Sequence, residues 1–170
     1  MRGTHPIAKY EVFGWVVHHM GMEPGKSYRA FISPGMTRAS FPSRTLWTRG
    51  RVVGKSDTGI LAEDRVPGLF TLDMPDPVPG NYTFEALDHT EWWCIDRKFN
   101  QGQIPEVTPL RVKVGELVQL PAGTRLLVCS GRGTLSGTSV APGFSIETSE
   151  EATLHATEGI LAMTFDRSKE

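Results

Sequence analysis

Residues 114–165 read VGELVQLPAGTRLLVCSGRGTLSGTSVAPGFSIETSEEATLHATEGILAMTF, a series of short apolar runs separated by Gly, Pro and Ser. Runs of this length between turn-forming residues predict short antiparallel strands. Upstream, NYTFEALD, TEWWCIDR and VTPLRVKV add three more runs, and apolar and polar residues alternate in the first and third. About nine short strands in the C-terminal part of the chain are typical of an antiparallel barrel.

Composition agrees with a β-rich globular protein. The chain has 170 residues, of which 18 are Gly, 12 are Pro and 39% are hydrophobic. No apolar run approaches the roughly 20 residues of a membrane-spanning helix, and MRGTHPIAKY lacks the apolar core of a signal peptide. We therefore expect no membrane association and, by default, a cytoplasmic location. Cys94 and Cys129 lie within apolar runs and are expected to be buried free thiols.

A proline-rich segment predicts the domain boundary. Residues 73–80 read DMPDPVPG, with prolines at alternate positions. Such a segment is stiff and extended, and it cannot join a central strand. We therefore predict an N-terminal arm with short strands over residues 1–75 and a β-barrel over residues 76–170. No internal repeat is evident in the sequence.

The turn pattern resembles that of the cupins. Gly115-x5-Pro121-Ala122-Gly123 matches the turn of the second cupin motif. In another register, LPAGTRLLVCSGRGTLSG surrounds the first motif and VAPGFSIETSEEATLHA replaces the second; we prefer this register because it leaves enough chain to close the barrel. The resemblance implies an all-β fold, namely a cupin-like jelly-roll barrel with an extended N-terminal arm.

The resemblance does not extend to metal ligands. In one register the histidine position is Leu126. In the other, the His-x-His and Glu positions fall on Leu126, Leu127 and Val128, and the late histidine falls one residue from His155, so most of the ligands are lost. We therefore expect no metal, no cofactor and no catalytic residue. The alternative is a site of two histidines and one carboxylate, formed by His89, Glu91 and His155, a set that suits non-haem iron.

The charge distribution predicts a binding surface. Residues 26–55 contain seven Lys or Arg and no acid, which leaves 18 − 7 = 11 basic and 19 acidic residues elsewhere. Arginine and aromatic side chains are enriched in protein interfaces. We therefore predict contacts with other copies of the chain or with other assembly proteins through six residues: Arg29, Arg38, Arg44, Trp47, Arg49 and Arg51.

Metal-free cupins of this kind are found among tailed-phage structural proteins. The resemblance thus implies a non-enzymatic structural or assembly protein that acts through oligomeric contacts. More specifically, the resemblance implies a phage virion component, such as a decoration, adaptor or tail protein, which is made in the host cytoplasm. The alternatives are a cupin-type enzyme or sugar-binding protein, with epimerases and isomerases as models, and a nucleic-acid-binding module that uses the basic residues and their neighbouring aromatics.

Overall fold

The computed structural model describes residues 3–59 and 61–166, and most of its regular structure is β-strand, which confirms the predicted all-β class. The first eight strands are β1 (Thr4–Val12), β2 (Trp15–Met22), β3 (Ser27–Ile32), β4 (Ser43–Arg49), β5 (Val52–Ser56), β6 (Leu61–Arg65), β7 (Gly80–Ala86) and β8 (Thr90–Asp96). The next eight are β9 (Val107–Val112), β10 (Leu117–Leu120), β11 (Arg125–Ser130), β12 (Gly133–Leu135), β13 (Thr138–Val140), β14 (Ser145–Glu147), β15 (Ala152–Ala156) and β16 (Ile160–Phe165). Helical structure in the described residues is limited to short 3-10 turns, and none of it is long and apolar enough to cross a membrane.

The chain divides into two compact units. The first unit consists of Met1–Lys9 and Val16–Ile104, and the second unit consists of Tyr10–Trp15 and Pro105–Glu170. The boundary predicted between residues 75 and 76 therefore falls inside the first unit and is corrected. The reason is strand pairing, since β3 and β5 flank β7, while β2 and β4 flank β8. Strands before the proline-rich segment thus find their partners after it, so residues 1–75 are not an arm of their own.

The second unit is a jelly roll. Its two four-stranded antiparallel sheets have the orders β9-β16-β11-β14 and β10-β15-β12-β13. This is the eight-stranded arrangement of two Greek keys that cupins share, so the predicted cupin-like jelly roll is confirmed. Leu127 and Ile160 lie in its central strands β11 and β16 and are buried, as the sequence predicts.

The first unit repeats this strand order. β2, β8 and β4 occupy the positions of β9, β16 and β11, and β3-β7-β5-β6 correspond to β10-β15-β12-β13. The position of β14 is taken by Phe70, which forms an isolated bridge with Leu46, and β1 extends the sheet beyond β2. The chain therefore contains a second jelly roll, which the sequence did not reveal.

Matching backbone hydrogen bonds support the repeat. The N–H and C=O of Trp47 bond to the loop VPGLF (66–70) at 2.9 and 2.8 Å, and those of Val128 bond to the loop APGFS (141–145) at 2.9 and 2.8 Å. Both loops place Pro-Gly at the same position relative to these bonds. This shared Pro-Gly is the sequence signal of the duplication.

Candidate ligand-binding site in the first unit

An arginine lies inside the first jelly roll. The guanidinium carbon of Arg65 is 4.2 Å from the centre of the Phe84 ring and 5.4 Å from that of Trp47. The Tyr28 ring stacks on Phe84 with 5.1 Å between centres. Three aromatic rings therefore surround one cation, and we call Tyr28, Trp47 and Phe84 the aromatic cage. Cations are attracted to the negative faces of such rings, most strongly where water is excluded.

Hydrogen bonds hold the cation in the aromatic cage. Arg65 Nη1 donates to the Tyr28 hydroxyl oxygen at 3.0 Å, and Nη2 donates to Glu63 Oε2 at 2.8 Å. Burial raises the pKa of Tyr28, with Arg65 opposing the shift, so that the ring keeps its hydroxyl proton. Arg65 Nε is buried and has no hydrogen-bond partner among the described residues. The guanidinium is thus paired but incompletely satisfied, which is costly for a buried cation.

A glycine makes room for the aromatic cage. A Cβ atom added to Gly54 would lie 2.5 Å from Phe84 Cε1, closer than real Cβ contacts permit. Gly54 lies opposite Phe84 across β5 and β7, and the equivalent pair in the second unit is Leu135 and Leu154. Glycine is therefore required here by ring size, not by a turn.

Strand register relates the two interiors residue by residue. In the first unit Val52 lies between Arg65 and Ala86 on the neighbouring strands. In the second unit Gly133 lies in the same way between Val140 and Ala156. Arg65 and Val140 are therefore equivalent. The equivalent interior residues, with the first-unit residue given first in each pair, are Arg65/Val140, Tyr28/Val118, Trp47/Val128, Phe84/Leu154 and Trp92/Ala162. The second unit thus has an aliphatic interior where the first has aromatic rings and an ion pair.

A cavity of about 510 Å³ lies beside this interior in the first unit. Three of its lining residues connect it to the interior. Tyr82 belongs to the buried apolar cluster of the first unit, which we call the interior cluster, and Leu69 packs against that cluster. Glu63 is the ion-pair partner of Arg65. Its remaining lining residues are Phe41, Ser56, Asp64, Asp73, Met74, Pro75, Asp76, Pro77 and Val78. Four of the lining residues are carboxylates and none is basic. The size is that of a small-molecule pocket.

Three of the six residues predicted to bind a partner are engaged within the first unit. Trp47 is only 3% exposed and lies in the interior cluster, so the prediction of a surface contact does not hold for it. Arg51 forms two 2.8 Å hydrogen bonds with Asp64, and Arg49 lies 3.3 Å from Glu91. These acids are outside the basic segment in sequence, and strand pairing brings them beside it.

The other three predicted residues differ in exposure. Arg44 is half-buried and donates to backbone carbonyls, and burial and the nearby Arg97 lower its pKa. Arg38 is exposed and donates to the Met74 carbonyl at 3.0 Å. Arg29 is exposed and shares a groove with Phe31 and Lys55. Of the six residues, Trp47 is thus buried and the other five are exposed or partly exposed.

The alternative metal site is assembled only in part. His89 Nε2 lies 2.8 Å from Glu91 Oε2, but His155 belongs to the second unit. Instead His19 Nε2 contacts Glu91 Oε1 at 2.7 Å, and His89 Nδ1 contacts Glu23 Oε1 at 2.8 Å. Within residues 3–59 and 61–166, no group of three or more His, Cys, Asp or Glu is arranged to hold a metal ion.

These four side chains form a hydrogen-bonded chain that the sequence analysis found only in part. Hydrogen bonds to Glu91 and Glu23 raise the pKa of His89, with burial opposing the shift. Burial lowers the pKa of His19, which stacks on Trp93 with 4.4 Å between ring centres. Burial acts to raise the pKa of Glu91, but its histidine hydrogen bonds outweigh this and lower it.

The residues of the second unit at the metal-ligand positions of cupins cannot hold a metal ion. Leu126 and Val128, which occupy ligand positions, are completely buried within its aliphatic cluster. Hydrocarbon side chains cannot coordinate a metal ion. In the first unit the residue equivalent to Val128 is Trp47, which cannot do so either.

Comparison with known proteins supports the fold of the whole chain. No family model and no curated protein matches it. HutD from Pseudomonas fluorescens SBW25 is similar in structure, with a TM-score of 0.53 and 9% identity over 97% of this chain and 89% of that one. A conserved protein of unknown function from Pseudomonas aeruginosa PAO1 has a TM-score of 0.53 and 16% identity over 97% and 89%. A cupin 2 conserved barrel domain protein from Leptotrichia buccalis aligns over 98% and 89% at 12% identity, with a TM-score of 0.45.

Proposed function

We propose that this protein binds a small organic molecule in the cavity of the first unit. One observation carries the proposal: the first unit has an aromatic and charged interior at positions where the second unit, with the same strand order, has aliphatic residues. An ion pair withdrawn from water, such as Arg65 with Glu63 at 12% and 22% side-chain exposure, is weak evidence for stability, because desolvation opposes the attraction. The second unit has the same strand order without an interior ion pair, so the fold does not require one. A binding role therefore accounts for the ion pair of the first unit better than stability does.

The cavity has the chemistry of a binding pocket. Apolar and aromatic side chains such as Phe41, Met74 and Tyr82 supply contact area, and Glu63 supplies a polar group already aligned by Arg65. Pockets of this kind, mostly apolar with a few placed polar groups, are found in the mouths of β-barrels. The cavity beside the interior of the first jelly roll is therefore where we place the ligand.

Thermal-shift screening of the purified protein against amines, sugars and carboxylates tests this proposal. We expect a ligand of one class to raise the melting temperature, and we expect Glu63→Gln and Tyr82→Ala to reduce that shift. The matched control is Thr138→Val, which changes the residue equivalent to Glu63 in the second unit and should leave the shift unchanged. A screen without binders, or a shift that survives both cavity variants, would contradict the proposal.

A second candidate is an assembly protein that forms oligomers through the outer face of β3, β7 and β5. Arg29 and Lys55 are exposed on opposite sides of Thr83, and Phe31 is 64% exposed in the same groove. An exposed aromatic ring beside two cations suits an acidic protein surface, and the chain outside residues 26–55 carries 19 acids against 11 bases, the latter being 18 − 7. The finer form, a phage virion component, is supported by the family resemblance alone.

Native mass measurement tests this second candidate. We expect a concentration-stable oligomer that the double variant Arg29→Glu/Lys55→Glu dissociates, and that Lys113→Glu, an exposed control in the second unit, leaves intact. A monomer at every concentration would contradict the proposal. Salt-dependent retention of the wild type on DNA, lost in the double variant, would instead favour a nucleic-acid partner.

A further inference from the structure

We infer that the aromatic cage of the first unit recognises an organic cation, of the guanidinium or ammonium class, and that Arg65 occupies the site until such a ligand displaces it. This inference rests on the proposed small-molecule function and names its ligand class. In the structure the chain's own guanidinium stands in for the ligand.

The contacts of Arg65 define what the site accepts. Two ring faces lie 4.2 and 5.4 Å from its guanidinium carbon, a carboxylate oxygen accepts from Nη2 at 2.8 Å, and a neutral phenol accepts from Nη1 at 3.0 Å. Aromatic faces together with a carboxylate form the usual recognition set for cationic ligands. None of these groups is a formal cation, and the Glu63 carboxylate and the ring faces repel negative charge, so the site disfavours an anion once Arg65 leaves.

The cavity extends this preference. Glu63 belongs both to the set of contacts around Arg65 and to the cavity lining, which makes the two spaces neighbours. The cavity adds Asp64, Asp73 and Asp76 and apolar residues such as Met74 and Val78. A ligand with a cationic head in the aromatic cage and an apolar or hydroxylated body in the cavity therefore matches both parts.

Arg65 is placed where it can leave. It is the last residue of β6, an edge strand that pairs only with β5 in its sheet. Its Nε has no partner among the described residues, so the native position does not satisfy the whole guanidinium. While Arg65 occupies the site, a ligand can bind only during the fraction of time that the site is free. A variant without Arg65 should therefore bind the ligand more tightly than the wild type, by a factor of one over that fraction.

Chemical rescue tests the inference. Arg65→Ala is expected to lower the melting temperature, because Glu63 then lacks its cation, and ethylguanidinium at low millimolar concentration is expected to restore part of the loss. N-ethylurea, which is neutral, and propionate, which is anionic, should not. The matched control is Arg125→Ala, which removes a guanidinium that pairs with Glu147 at 2.9 Å and lies 5.6 Å from the centre of the Phe13 ring. Rescue should not occur there, nor in Arg65→Ala/Glu63→Gln.

A second variant keeps the test valid if Arg65→Ala does not fold. Arg65→Met retains volume, and its affinity for ethylguanidinium, followed by the fluorescence of Trp47 and Trp92, should exceed that of the wild type by about tenfold or more. Equal affinity, or rescue by N-ethylurea and propionate as well as by ethylguanidinium, would overturn the inference. A neutral or anionic ligand whose binding needs Glu63 and Tyr82 would overturn it too, yet leave the small-molecule function standing.

Discussion

The Arg65 guanidinium lies 4.2 Å from the centre of the Phe84 ring, inside a jelly roll whose counterpart in the same chain has Val140 and Leu154 at these two positions. One strand arrangement thus surrounds two different interiors. The aliphatic interior contributes stability by apolar burial alone. The aromatic interior also presents oriented polar groups, which stability does not require.

Gly54 should be sensitive to enlargement. Gly54→Ala places a Cβ 2.5 Å from the Phe84 ring and is expected to cost about 1–3 kcal/mol in the free energy of unfolding. Gly159→Ala is the matched control, since its nearest neighbour, the Val112 carbonyl oxygen, lies at 3.8 Å. Urea denaturation measures both. A Gly54→Ala protein as stable as the control would mean that the ring is free to move.

The interior of the second unit should respond to cavity formation. Leu127 and Ile160 are 0% and 1% exposed, so truncation of either to Ala is expected to cost about 2–5 kcal/mol. Leu117→Ala is the control, because that side chain is 62% exposed. Losses below about 1 kcal/mol at both buried positions, measured by denaturant unfolding, would show that they are not in a packed core.

The contribution of His89 should depend on pH. Hydrogen bonds to Glu91 and Glu23 raise its pKa above 6.5, so its stabilising effect is complete below that pH and is lost as the pH rises through the raised value. The stability difference between the wild type and His89→Gln should therefore be largest near pH 6 and shrink toward about pH 9. Glu23→Gln, which removes one of the two partners, should reduce the difference at low pH. A constant difference across this range would contradict the assignment.

Neither cysteine should react in the folded protein. Both are free thiols, as the sequence predicts; Cys129 is buried as predicted, whereas Cys94 is only partly buried. Burial, with Asp96 contributing, raises the pKa of Cys94 to about 12, and burial raises that of Cys129 as well. Because the thiolate is the reactive form, a thiol reagent at about pH 8 should label both residues only after denaturation. Rapid labelling of the native Cys94→Ser or Cys129→Ser variant would identify an accessible thiol.

The strands were largely predictable from local sequence. Apolar runs bounded by Gly, Pro and Ser indicated β9 to β12 and β14 to β16, because strand alternation and turn chemistry act over neighbouring residues. Because successive side chains of a strand alternate, Trp92 and Trp93 face opposite sides of β8, and Trp92 packs in the buried apolar cluster of the first unit. Trp93 is fully buried as well, so it marks no exposed contact surface.

The pairing between distant strands was not predictable in the same way. The proline-rich segment at 73–80 indicated a boundary because proline ends strands locally, yet β7 beyond it pairs with β3 and β5 before it. The duplication was equally hidden. Its equivalent interior positions carry residues as different as Trp47 and Val128, and only the Pro-Gly loops at 66–70 and 141–145 retain a visible likeness.

The sequence by itself determined the β class, the jelly roll of the second unit, the burial of Cys129 and the absence of coordinating side chains at Leu126 and Val128. The tertiary structure alone decided that Arg65 lies among Tyr28, Trp47 and Phe84, which are 37, 18 and 19 residues away. The physical reason is range: strand propensity and turn formation are local, whereas the side chains that share an interior are set by long-range register. A site built from four separate strands therefore has no signature along the chain.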